Sequence, residues 1–221
     1  MSTKVRVWDL PTRVFHWLLA VCVLALLVTG QVGGSAMDWH FRLGYAVLSL
    51  LLFRLVWGVI GGHWSRFSTF LYSPGTVIRY LRGQGAPEHG IGHSPLGAGS
   101  VFAMLLFLLL QVGTGLISDD EIAASGPFTS LVSSALVSQA TFYHANIGKR
   151  VLIALVVLHV AAILFYLWRK RQNLVRAMVL GDKELNQPAT SARDDARSRA
   201  LAGAVFILCI LLVTQALRLA P

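Results

Sequence analysis

The chain has 221 residues, 55% of them hydrophobic and only 13% charged. A soluble domain carries about 25% charged residues, so the composition excludes an ordinary soluble protein and points to an integral membrane one. The formal charge of +9 is gathered in segments between apolar runs, which argues against nucleic acid and makes the lipid bilayer the first partner.

Five apolar stretches, about 12–32, 41–61, 96–117, 145–168 and 200–219, are each near the ~20 residues with which an α-helix crosses ~30 Å of hydrocarbon. VLSLLLF and LIALVVL do not alternate in polarity, as strands of a membrane barrel would. The first span opens at VWDLPTRVFHWLL, with Asp9 and Thr12 as cap candidates and Pro11 suited to a first turn. Trp8 and Trp17 suit the membrane–water interface, and His16 lies about one turn inside it. The length of the apolar run and its flanking His and Trp argue for an uncleaved span rather than a signal peptide.

The second span starts at MDWHFRLGY, with Asp38 as a cap and His40 at one end, and contains Arg54. A long loop from His63 to Ser94 follows, in which VIRYLRG is expected to form a short basic interfacial helix. His63, His89, His93, Phe67, Phe70 and Tyr72 lie in this region. They read as solvated or interfacial groups, with His93 the candidate for a quinone site or proton exchange and the aromatics favoured as anchors over a quinone pocket. Ser94 and Pro95 cap the third span, which carries Gly97, Gly99, Gly113 and Gly115 and so allows close approach of a helix or a flat cofactor. The next loop opens with Asp119, Asp120 and Glu121. These are solvated loop acids or a steering patch for a basic redox protein.

The fourth span contains His144 and His159. The polar stretch 169–199 reads as flexible in its middle, and the fifth span, without histidine, reads as peripheral. The organisation expected is a membrane domain over 1–184, a polar linker over 185–199 and an extra C-terminal helix over 200–221. Most of the 19 lysines and arginines fall in the N-terminal segment, the 63–94 loop and 169–199; Arg42, Lys149, Arg150 and Arg218 fall on the other side. This asymmetry predicts a cytoplasmic N-terminus and an external C-terminus. Cys22 and Cys209 lie in spans and outside any CxxC pair, and no CxxCH occurs, so covalent haem attachment is excluded.

An ionisable side chain in a span is a functional-site hypothesis by default. With this topology His16 and His159 share the inner depth, and His40 and His144 the outer. His144 and His159 are fifteen residues apart, which is ~22 Å along one helix and about 60° around it. Paired imidazoles at two depths suit two haems stacked across a bilayer, each iron taking two axial histidines. Arg42 and Arg150, with Lys149, are candidate propionate partners at the outer pair, and Arg13, Arg54 and Arg169 at the inner. Arg54 within a span also calls for a carboxylate. Gly44 and Gly148 each follow a proposed outer ligand by one helical turn, leaving room for a porphyrin.

The segments VWDLPTRVFHW, HFRLGYAVLSLLLFRLVWG, RFSTF, GHSPLG, SDD and HVAAILFYLWRKRQNLVRAMVLGDKE resemble the bacterial cytochrome b561 family, in the branch with the b-type subunits of nickel–iron hydrogenases. The resemblance covers residues 5–184. It implies an all-α four-helix transmembrane bundle holding two non-covalent b haems, with His16 and His159 on the inner iron and His40 and His144 on the outer. In that family the two fourth-helix histidines are one residue closer than here. The extra residue leaves two alternatives open, a π-bulge near His144 or an outer ligand other than His144.

The function expected is electron transfer, in the inner membrane of a bacterium, between quinone and a periplasmic partner. That partner is a cytochrome c or a dehydrogenase- or hydrogenase-type enzyme. Two other classes compete: a self-contained oxidoreductase coupling quinone to a small periplasmic oxidant or reductant, and a haem-free anchor or transporter. Nothing in the chain supports hydrolytic chemistry.

Overall fold

The computed structural model describes residues 3–220. Helix starts follow the capping residues. Asp9 Oδ1 accepts the Thr12 N–H at 2.8 Å at the start of α1 (Leu10–Val32). Asp38 stands in the first turn of α2 (Met37–Ile60). Ser73 caps the short α3 (Pro74–Leu81), where VIRYLRG was expected to be helical. Ser94 Oγ accepts from Gly97 N at 3.2 Å ahead of α4 (Pro95–Gly115). Ser133 caps α5 (Ser134–Phe142), which runs through a π-helical turn, Tyr143–Gly148, into α6 (Lys149–Arg169). Asn173 caps α7 (Leu174–Leu180), and Asp195 accepts from Ser198 N at 2.7 Å in the first turn of α8 (Ala196–Arg218).

Among the described residues, five helices are long and apolar enough to cross a membrane: Leu10–Val32, Gly34–Ile60, Pro95–Gly115, Ser134–Arg169 and Ala196–Arg218. The fourth has 36 residues, roughly 54 Å at 1.5 Å per residue, so it starts well before the span read from hydropathy alone. Side chains such as Val21, Val28, Val157, Leu158, Ile207 and Leu211 are exposed, as lipid-facing positions are.

The chain forms two compact units. The inner unit, named like the outer one for the side that the charge pattern predicts, comprises Met1–His16, Arg54–Ala103 and Leu158–Val205. It contains a two-stranded antiparallel ribbon, β1 (Thr3–Arg6) with β2 (Asp182–Leu185), in the register Thr3↔Leu185 to Arg6↔Asp182. Gly181, at φ 88°, ends α7, and its carbonyl accepts from Val7 N and Trp8 N. Its own Cβ would meet Trp8 O at 2.6 Å, so only glycine serves this close approach.

The stretch 185–199, expected as a polar linker, makes specific contacts within this unit. Ala192 N donates to Arg6 O at 2.7 Å, and Trp64 Nε1 to Thr190 O at 2.7 Å. Asp194 accepts from Leu10 N and pairs with Arg6, Arg13 and Arg199. Burial opposes its ionisation, but the Arg199 hydrogen bond, the Leu10 N–H and the arginine charges outweigh it and hold its pKa below the usual range. Charged residues distant in sequence satisfy one another, which a composition reading cannot see.

The outer unit comprises Trp17–Phe53, Met104–Val157 and Phe206–Pro221. In it α8 meets α2 through an edge-on contact of Phe206 with Phe53, centres 5.7 Å apart.

Candidate haem sites

In the outer unit, α2 supplies His40 and the π-helical turn supplies His144. Their ring centres are 6.1 Å apart and their planes 83° to one another. The fourth span contains a π turn, and His144 within that turn faces His40. In the inner unit, His16 of α1 and His159 of α6 face each other with centres 6.3 Å apart and planes at 48°.

These separations test whether haem iron fits. An imidazole nitrogen lies about 1 Å from its ring centre and bonds a transition metal at about 2 Å, so two imidazoles on opposite faces of one iron have centres about 6 Å apart. Both pairs meet that figure. Edge-on aromatic pairs have similar separations, so hydrogen bonding decides. His144 Nδ1 is 2.8 Å from the Gln111 carbonyl oxygen. A carbonyl only accepts, so Nδ1 carries the proton. His40 Nδ1 is 3.2 Å from Thr29 Oγ1, whose own proton goes to Ala25 O at 2.9 Å; His40 therefore donates as well. Both rings keep Nε2 unprotonated, the form in which an imidazole binds a metal.

A cleft of about 400 Å³ opens at the outer pair, lined largely by apolar and small residues and including Gly30, Gly44, Gly115, Tyr45 and Val112. Such a volume and lining suit an organic cofactor. Gly30 and Gly115 sit beneath the two imidazoles: a Cβ at Gly30 would be 3.1 Å from His40 Cε1, and one at Gly115 2.8 Å from His144 Cε1.

Gly44 lines the cleft with nothing within 4 Å of a built Cβ. Gly148 is buried outside the cleft lining, where a Cβ would collide with the Gln111 carboxamide; it makes room for that side chain rather than for a porphyrin. Lys149 is the cation in the cleft lining, its Nζ donating to Gln31 Oε1 at 3.0 Å, and neither Arg42 nor Arg150 is part of that lining. Consecutive helical residues point ~100° apart, so Lys149 and Arg150 cannot both face inward. Arg42 lies over the Trp39 ring at 5.4 Å, and Arg150 is exposed.

At the inner unit Arg13 is committed to Val179 O at 2.7 Å and to Asp194 at 3.8 Å. Arg54 is buried, donates to Ser65 O at 2.9 Å and lies over Phe67 at 4.6 Å. Its carboxylate is Asp9, reached through Ser65, whose hydroxyl donates to Asp9 Oδ2 at 2.7 Å. The fully buried Asp9 also accepts from Thr12 N, Trp57 Nε1 and Gly62 N.

Trp8 and Phe70 are core residues rather than interfacial anchors; they flank His93 with ring centres at 4.7 and 4.3 Å. Burial first, then the charges of Arg54 and Lys183, push the His93 pKa down to about 3. Tyr72 donates its hydroxyl to His93 O, and His89 sits edge-on between Tyr72 and Tyr80. The loop acids organise their own turn: Asp120 accepts from Ala124, Ala123 and Ile122 N–H groups, which hold its pKa below the usual range. Gly115 is one of the glycines expected to allow close approach, whereas Gln111, Thr29 and Gly30 carry no such expectation from the sequence, although the single amide in FLLLQVG is a visible signal.

The sequence pattern of the family described as prokaryotic cytochrome b561 matches residues 7–181. Among similar proteins, one from Bradyrhizobium diazoefficiens is 25% identical over 214 residues, covering 81% of this chain and 86% of its own length. One from Azotobacter chroococcum is 26% identical over 213 residues, covering 81% and 88%. One from Escherichia coli K12 is 28% identical over 135 residues, covering 49% and 57%. The first two are named probable Ni/Fe-hydrogenase B-type cytochrome subunits, and the third a probable Ni/Fe-hydrogenase 1 B-type cytochrome subunit. With five membrane-length helices, facing imidazoles and a family match over most of its length, this chain belongs to the prokaryotic cytochrome b561 family, multi-pass bacterial membrane proteins that transfer electrons through b-type haem.

Proposed function

We propose that the chain holds two b haems, one in each unit, and conducts electrons between membrane quinone and a redox partner at the periplasmic face. The observation that carries this reading is the pair of facing imidazoles in each unit, at 6.3 and 6.1 Å. Bound haem would supply one-electron iron chemistry. The chain supplies the rest. His16 and His159 hold the inner group, and His40 and His144 the outer, with Nδ1–H bonds on His40 and His144 fixing the ring tautomers. The glycines of the outer cleft admit a flat macrocycle, and Lys149 offers a propionate partner there.

The charge asymmetry supports a cytoplasmic N-terminus. A quinone site near the inner pair is supported by Tyr166, two turns from His159 on one helical face and hydrogen-bonded to Tyr80 and Ser94. The names of the relatives support a hydrogenase-type enzyme as the periplasmic partner. The exposed Asp120 and Glu121 suit a basic cytochrome c in the same role.

Haem stoichiometry with single substitutions tests the reading. Purified protein is expected to bind two haems with a b-type α-band. His40→Ala and His144→Ala each lose the outer haem and keep the inner; His16→Ala and His159→Ala do the reverse. Two six-coordinate haems surviving in His144→Ala would overturn the outer assignment.

A further inference from the structure

The outer site contains a half-buried amide with no place in the ligand set, Gln111 on α4. Its main chain and its side chain both engage His144. The Gln111 carbonyl oxygen accepts the His144 Nδ1–H at 2.8 Å, and Gln111 Nε2 donates to the His144 carbonyl oxygen at 2.9 Å. The second bond meets the backbone of a π-helical turn, a geometry that α-helices tolerate only in short insertions, often at functional sites. Two glycines make the approach possible. Gly148, at the end of the π turn, gives way to the carboxamide, and Gly115, one turn beyond Gln111, gives way to the His144 ring. An amide among the apolar neighbours of LLLQVG is unfavourable unless it is bonded. Here its nitrogen is bonded to the ligand's own residue, while its buried Oε1 has no hydrogen-bond partner among the described residues.

We propose that Gln111 is the positioning residue of the outer haem: by gripping the π turn it holds His144 Nδ1–H on the Gln111 carbonyl and so sets the basicity and orientation of that axial ligand. The inference rests on the reading that His144 binds the outer iron. A hydrogen bond from Nδ1–H to a carbonyl makes the imidazole a stronger donor. A stronger donor favours oxidised iron and lowers the potential. Loosening the clamp therefore raises the outer potential and weakens haem retention. Gln111 acting only as interhelical glue changes neither the potential nor the coordination spectrum.

The test uses full-length protein loaded with haem: wild type, Gln111→Leu, Gly148→Ala and the double variant. Each is followed by redox titration and by electron paramagnetic resonance of the ferric state, with the outer haem identified as the one absent from His144→Ala. Gln111→Leu is expected to raise the outer midpoint potential, alter the outer ferric spectrum and weaken outer haem retention about 10-fold, with the inner haem unchanged. Gly148→Ala, with Gln111 present, displaces the carboxamide and shifts the outer potential the same way. The double variant shifts less than the sum of the two, as residues acting through one contact do. An outer potential and spectrum unmoved in Gln111→Leu, whatever happens to thermal stability, overturns the clamp. If Gln111→Leu does not accumulate, an unmoved Gly148→Ala overturns it instead. Retention of both haems by His144→Ala is a separate result that sinks the ligand assignment itself.

Discussion

The inner and outer units hold their histidine pairs by different means. In the inner unit the polar bonds lie around the helices that carry the histidines. Asp9 gathers four donors at the start of α1, and Asp194 ties Arg6, Arg13 and Arg199 to the same region. In the outer unit the bonds fall on the histidines themselves: Thr29 on His40, Gln111 on His144, with glycine beneath each ring. These bonds of one unit fix the helices that carry its histidines; those of the other reach the histidine rings and leave an open cleft. Damage to the scaffold should therefore be global in the inner unit, whereas damage in the outer unit should be confined to its cofactor.

The largest effect that would break this contrast is at Asp9. Asp9→Ala leaves Trp57 Nε1, Ser65 Oγ and the Thr12 and Gly62 N–H groups without their buried acceptor and removes the counter-charge of Arg54. Removing one partner of a buried charged network destabilises by about 3–5 kcal/mol. The expected outcome is a sharp fall in folded protein and in the thermal midpoint, with Asp9→Asn milder because one acceptor oxygen remains. An Asp9→Ala protein with wild-type melting would show that the network is not the scaffold.

A smaller and more local effect is expected at Gly44. Among the described residues, nothing beyond its chain neighbours and its own helix backbone lies within 4 Å of a Cβ built there, although the residue lines the outer cleft. Gly44→Leu should leave the yield of folded protein within about twofold, since substitutions away from packed features change stability by about 0.5 kcal/mol. It should nevertheless lower occupancy of the outer haem alone. Haem quantified per chain, with the inner absorbance as internal standard, checks this. Full occupancy of both sites in Gly44→Leu would place the macrocycle elsewhere than against that wall.

Much of this contrast is visible in the residues. The apolar runs mark all five helices, Asp9, Ser94 and Pro95 mark starts, and depth alone puts His16 with His159 and His40 with His144, the partners whose rings meet. The π turn, one of two alternatives that the spacing of His144 and His159 left open, falls at Tyr143–Gly148. The rest depends on which side of a helix a residue takes and on partners distant in the chain. Lys149 and Arg150 are equally basic, but only one can face the cleft. Gly148 falls at the spacing of Gly44 yet faces Gln111, because the π turn shifts the helical phase. The 185–199 stretch looks disordered because Asp194 and its arginines are each polar in isolation; their mutual satisfaction exists only once Arg6 and Arg13 are brought alongside. Phe70 and Trp8 look like anchors because aromatic residues near a span usually are, whereas here they enclose His93.

That enclosure gives the mildest prediction, one confined to the inner unit. His93 lies between Trp8 and Phe70, with Arg54 and Lys183 adding positive charge, and its pKa is pushed down to about 3. In the unfolded chain a histidine takes up its proton near pH 6.5. Between these values the unfolded chain binds a proton that the folded chain refuses, so folding stability is complete above about pH 6.5 and declines as the pH falls towards 3. Thermal midpoints measured between pH 7.5 and pH 5, at roughly half-unit steps spanning the ordinary histidine range, should drop on the acid side. His93→Phe, which keeps an aromatic ring between Trp8 and Phe70 without a titratable group, should flatten that drop while leaving the outer haem spectrum as in wild type. An unchanged pH slope in His93→Phe would move the acid sensitivity away from this enclosure and onto the histidine pairs themselves.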